Sequence, residues 1–128
     1  MTRKSSTYAC RRLNSAPRDG ELLVAGTCTG VEIREGAPQL GYFFQNITAR
    51  GGYALNSWEV SSPTTQPTVL DARGNGRVIR IASGVRVLLA NMTVINGSAV
   101  GLGGGTANED AGGNIYVNNG QLTLDNVD

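Results

Sequence analysis

Apolar and polar residues alternate in short runs along this chain, and the runs come back in matched pairs. "VIRIASG" and "NIYVNNG" set Ile79 and Ile81 against Ile115 and Val117, with Gly84 against Gly120. "YFFQNITARGG", "VLLANMTVING" and "LTLDNVD" share a second pattern, in which an apolar strand meets an asparagine and an apolar residue restarts a strand. The asparagines are Asn46, Asn91 and Asn126, spaced by 45 and 35 residues. A period of two predicts strands with one face turned inward. In the last run Asp125 alternates out of the Leu122/Leu124 face, so it is expected to meet solvent.

One short set of strands cannot bury its inner face alone, whereas stacked copies build a continuous core. Asparagine suits a tight corner between two strands because it tolerates the left-handed backbone conformation better than most residues. Stacked corners can also pass amide hydrogen bonds from copy to copy. Strands and corners then stay fixed while one loop per turn varies in length, as in "GGYALNSWEVSSPTTQP" and "GSAVGLGGGTANEDAGG". The expected class is therefore all-β.

Composition narrows the chemistry. Eleven basic and ten acidic groups leave a formal charge of +1, with no basic run to recommend nucleic acid or an anionic membrane. Histidine is absent, which excludes a Ser-His-Asp triad, a Cys-His pair and any His-containing zinc site within these residues. Glycine is frequent, 18 of 128, without collagen's period, as expected for short strands joined by tight turns. No apolar run is long enough for a membrane-spanning helix. "MTRKSSTYACRRLNSAPRDG" lacks the apolar stretch of a signal peptide. Cys10 and Cys28 form no C-x-x-C motif. Two readings stay open for them: a disulfide, whose loop closure contributes about 3 kcal/mol in an oxidising compartment, or two free thiols.

Several pieces in order resemble a known family. "RDGELLVAGTCTGV" is similar to an opening strand and its turn, and "ITARGGY", Trp58 and "PTVLDARGNGRVIRIASGV" to the rungs that follow. "GGNIYVNNGQLTLDNV" is similar to a recurring rung, while "FFQN" and "GGNI" look like the repeats of chlamydial polymorphic outer-membrane proteins. Together they resemble the right-handed parallel β-helix of the pectate-lyase-like superfamily, in its bacterial surface-protein branch. The resemblance implies a solenoid of few rungs, incomplete over residues 13–128 and open at its C-terminal end, with 1–12 a disordered or capping N-terminus. Such a chain is expected to be a fragment of a longer parent, or to associate end to end with a second copy. Cys28 stands where the family's turn usually carries Tyr, and Pro17 would shorten a capping helix.

Function follows less directly, because such folds carry lyases, hydrolases and adhesins alike. The expectation is a non-catalytic structural and adhesive domain, extracellular or in the cell envelope, whose variable loops contact a glycan or a host surface protein. The alternative is a fragment of a polysaccharide lyase or glycoside hydrolase whose catalytic rungs lie beyond Asp128. Trp58, Tyr53 and Tyr116 are the aromatic candidates for a sugar face, Trp58 first among them. Asp71, beside Arg73 and Arg77 in "LDARGNGR", is the most enzyme-like cluster, although an Asx turn explains it as well. Glu109 and Asp110 form a candidate Ca2+ corner, but adjacent carboxylates on extended chain point apart and calcium takes 6–8 oxygens. No catalytic residue, resident metal or cofactor is assigned. The sequons at Asn46, Asn91 and Asn96 fall largely on corner residues and are poor acceptors.

Overall fold

A computed structural model describes residues 20–54, 56–106 and 109–128. The segment expected to cap the N-terminus, with Cys10 and Pro17, lies outside the described residues. Ten strands follow in order: β1 (Gly20–Ala25), β2 (Thr27–Thr29), β3 (Glu32–Arg34), β4 (Ala37–Phe43), β5 (Ile47–Tyr53), β6 (Val69–Asp71), β7 (Arg77–Ile81), β8 (Arg86–Ile95), β9 (Ile115–Val117) and β10 (Gln121–Val127). The all-β class expected from alternation is present. The larger sheet runs β1-β5-β8-β6-β2 with β10 also on β8, and the smaller runs β3-β4-β7-β9.

The right-handed parallel β-helix solenoid expected from the resemblance is not the arrangement found. The larger sheet curls into a half-barrel, and the second sheet is mixed. Two local causes account for this. Strand β8 continues through ten residues, pairing first with β5 and β10 and then, from Thr93, with β6. It bends at Asn91, whose φ of 59° lies in the left-handed region, so one strand serves both limbs of the curl. In the smaller sheet, Glu35 and Gly36 both take positive φ and fold β3 back antiparallel onto β4. Positive φ at both central residues is what a two-residue type I′ hairpin requires.

Register explains where the core sits. Gly20, Ile47, Val87 and Leu122 align across the larger sheet, as do Leu22, Ala49, Leu89 and Leu124 two positions on. Opposite them, Gly41, Ile79 and Ile115 align, as do Phe43, Ile81 and Val117. The apolar residues of these rows, Leu124 excepted, meet in a single cluster that also takes Cys28, Leu70 and Val94. Fully burying one such Leu or Ile is worth roughly 2–3 kcal/mol, so the alternation read from sequence is the main source of stability. A small second cluster of Leu23, Ala25 and Tyr53, with Trp58 against it, lies apart from that core.

Candidate functional site

The excursion between β8 and β9, described over residues 96–106 and 109–114, carries a dense set of side-chain hydrogen bonds. Its anchor is Arg77, the first residue of β7, which is only 2% exposed despite its charge. The guanidinium Nη2 donates to Gly103 O and to Ala111 O, each at 2.9 Å, and Nε donates to Ala111 O at 3.2 Å. Its carbon sits 4.2 Å from the centre of the Tyr116 ring, a cation–π contact. Burial holds the Arg77 pKa below the usual arginine range, and the nearby Tyr116 and Asp110 partly oppose that shift. The loop can close over Tyr116 because a Cβ on Gly104 would lie 2.8 Å from the ring.

Asp110 completes the fastening. Its two carboxylate oxygens accept from the N–H groups of Gly101 and Gly103, each at 2.8 Å. Those two bonds depress its pKa, the Gly101 N–H most. Both carboxylate oxygens of Asp110, one half of the candidate Ca2+ corner, are thus engaged with backbone donors of the same loop. Glu109 lies beside it in the chain, exposed, with its carbonyl accepting from Gly105 N–H at 2.9 Å. Among the described residues no three His, Cys, Asp or Glu side chains converge as a metal site would need. At the loop's outer tip Val100 is 84% exposed.

Asp71 sits in the turn that leads to Arg77. Its Oδ1 accepts from Arg73 N–H at 2.8 Å and from the Asn96 amide at 3.0 Å, and these bonds lower its pKa, the Arg73 contribution being larger. This is an Asx turn that also ties the start of the 96–114 excursion to β6.

Tyr53 and Trp58 come together at the second excursion, residues 54–67, with ring centres 5.9 Å apart. Tyr53 is buried and Trp58 half-buried against Leu23 and Ala25, so these rings meet each other more than solvent. The base of this excursion depends on Thr68, which sequence reading passed over. Its buried Oγ1 accepts from Gly52 N–H at 2.8 Å and donates to Val24 O at 3.1 Å. Nothing in the local pattern distinguishes that threonine from its exposed neighbours in "SSPTTQPT".

The three corner asparagines separate. Asn91 and Asn126 share the left-handed conformation, and the Asn126 amide donates to Asn91 Oδ1 at 3.1 Å. Asn46 stands elsewhere, at the start of β5, where its Oδ1 accepts from Arg86 N–H at 2.8 Å. The neighbour of Asn91 in the preceding layer is instead Gly51, where a Cβ would lie 2.5 Å from Asn91 O. Ser61 supplies the missing side chain: Asn91 Nδ2 donates to Ser61 Oγ at 2.9 Å, and Ser61 Oγ donates to Gly51 O at 2.6 Å.

Cys28, fully buried on β2, is disulfide-bonded. On the outer face of the larger sheet a shallow open groove is lined by Asn46, Thr48, Arg86, Leu88, Gln121 and Thr123. Comparison with protein-family models, with curated proteins and with solved structures returned no match.

Proposed function

We propose that these residues form a non-catalytic structural and adhesive β-domain of a secreted or cell-surface protein, contacting an extracellular glycan or a surface protein through its excursions. One observation carries this reading. Each excursion is tied down by hydrogen bonds to its own base and presents a large aliphatic side chain outward, Val100 at 84% exposure and Val60 at 69%, and the β3–β4 hairpin does the same with Ile33 at 74%. An ordered loop with an exposed apolar tip loses little conformational freedom on binding, which favours contact without chemistry. The disulfide at Cys28 fits an oxidising compartment.

The experiment is binding of the full chain to immobilised glycans and to extracellular surface proteins, beside Val100→Asp, Val60→Asp and Ile33→Asp variants with unchanged circular dichroism. Loss of binding in at least one variant is the expected result. Turnover of a polysaccharide by the unmodified chain, or binding indifferent to all three changes, overturns the reading.

A further inference from the structure

Asn-Gly is the dipeptide in which an asparagine side chain is most easily attacked by the next backbone nitrogen, because glycine brings no Cβ to obstruct the approach. Two of the chain's three Asn-Gly pairs, Asn75–Gly76 and Asn96–Gly97, stand in adjacent layers. Gly74 N–H donates to Asn96 O and Ser98 N–H donates to Gly76 O, each at 2.7 Å. Both asparagines are exposed. What separates them is how the reacting groups are held. The Gly97 N–H, the nitrogen that would attack, donates to Asn114 Oδ1 at 2.7 Å, and Asn96 Nδ2, the nitrogen that would leave, donates to Asp71 Oδ1 at 3.0 Å. Asn75 instead closes a type I′ turn, with its own N–H on Ala72 O at 2.9 Å and positive φ at Arg73 and Gly74. Among the described residues neither its side chain nor the Gly76 N–H makes a hydrogen bond.

We propose that Asn75 is a site of spontaneous deamidation, and that its conversion releases the β8–β9 excursion. The Gly76 nitrogen gives up its proton and bonds to Asn75 Cγ, while the side-chain nitrogen takes a proton and leaves as ammonia, closing a cyclic imide. Water then opens the ring at either carbonyl. One opening restores the ordinary backbone with aspartate in place of Asn75. The other gives isoaspartate, whose main chain runs through the side-chain carbon and is longer by one methylene. The added length has no room. A Cβ on Gly76 would already lie 2.6 Å from Pro38 O, and the next residue is the buried Arg77. Displacing the start of β7 draws the guanidinium from Gly103 O and Ala111 O, the bonds that fasten the loop. None of this depends on what the excursion binds.

The stacked pair supplies its own control. The full folded chain is incubated in heavy-oxygen water and digested, and incorporation of the label is read peptide by peptide. Asn75 should take up label at least about tenfold faster than Asn96, where two hydrogen bonds must first be given up. In urea the two sites should converge. Asn114→Ala frees the Gly97 N–H and should speed Asn96 roughly fivefold in the folded chain, as loss of one such bond implies, with Asn75 unmoved. The Ala111 N–H, which donates to Gly103 O at 3.0 Å, reports on the loop. In the isoaspartate form, separated chromatographically, its hydrogen exchange should be at least about tenfold faster. Asn75→Asp adds the charge without the length and should leave that exchange unchanged. Equal labelling of Asn75 and Asn96 in the folded chain, an Asn96 indifferent to Asn114→Ala, or an Asn75 that stays unlabelled while the chain in urea converts overturns the site. An Ala111 amide indifferent to isoaspartate, or loosened as much by Asn75→Asp, overturns the release.

Discussion

Two long excursions leave the sheets, and they are held by opposite means. Residues 54–67 rest on apolar contact and neutral hydrogen bonds: Trp58 on Tyr53, Ser62 N–H on Gly52 O at 2.6 Å, and the Thr68 hydroxyl bridging Gly52 and Val24. Residues 96–114 are held by two charges, the buried guanidinium of Arg77 and the carboxylate of Asp110, working on loop backbone. The difference follows from composition. A glycine-rich loop such as "GLGGGTANEDAGG" has few side chains to bury, so it is ordered through its own carbonyls and N–H groups. A loop with tryptophan can use area instead. The charged arrangement is sensitive to loss of charge and to acid, and the apolar one to loss of surface or of one hydroxyl.

Removing the cation should break the contrast most visibly. Arg77→Ala deletes three charge-assisted hydrogen bonds, taking the guanidinium from the Ala111 carbonyl and leaving the Gly103 carbonyl with the Ala111 N–H alone. A loss of about 3 kcal/mol is expected in urea unfolding followed by circular dichroism. Arg77→Lys should recover only part of it, because an ammonium cannot reproduce the guanidinium fork or stack as well on Tyr116. The protein's single tryptophan, Trp58, lies in the other excursion, so its emission should be unchanged in both variants before global unfolding. A shifted emission in folded Arg77→Ala would falsify the independence of the two loops.

The neutral excursion should respond less. Thr68→Val keeps shape and volume but leaves Gly52 N–H buried without its acceptor and Val24 O without its donor. About 2 kcal/mol is expected. Trp58→Ala should cost about 1.5 kcal/mol, below the range for a fully buried ring because Trp58 is half-exposed. If Trp58→Ala proves the more costly of the two, apolar area outweighs the hydroxyl bridge in ordering this loop.

How far the chain can be read without coordinates shows in the corners. The matching of Ile79 with Ile115 and of Ile81 with Val117 was legible, because inward rows demand apolar residues in register. Asn91 and Asn126 were legible as a stacked pair for a similar reason: an amide ladder needs the same residue twice. Asn46 was misleading. In its layer Gly51 lies against Asn91, the left-handed residue is Gly52 with a φ of 87°, and the hydrogen-bonding side chain comes from Ser61, ten residues on from Gly51. A search for a repeated asparagine cannot find a glycine and serine sharing the task. The overall arrangement was overread in the same way, since a regular repeat hides the Glu35–Gly36 turn that makes the second sheet mixed and the continuous bend of β8. Arg77 was noticed beside Asp71, but its burial was not, because a charged residue at the start of a strand reads as solvent-facing.

The smallest expected effect separates the loops by pH. The Asp110 carboxylate has a pKa below its ordinary value of about 3.9, since the Gly101 and Gly103 N–H groups bond its two oxygens more strongly when it is ionised. A depressed folded-state pKa contributes stability that is fully present above the unfolded value. That contribution is lost as pH falls through the lower, folded value. The amide protons of Gly101 and Gly103 should therefore hold their positions in NMR spectra down to the ordinary aspartate range and move together only below it. Asp110→Asn should abolish that titration. The Gly52 amide, held by the neutral Thr68 hydroxyl, should stay fixed over the same range. Asp71 gives an internal second case, with the Arg73 amide as its reporter. Should Gly101 and Gly103 titrate at or above the ordinary aspartate value, the carboxylate is not what fastens the charged loop. Arg77 is then the charge that fastens its middle, beside the Asp71–Asn96 tie at its start, and the contrast between the two excursions reduces to one buried guanidinium.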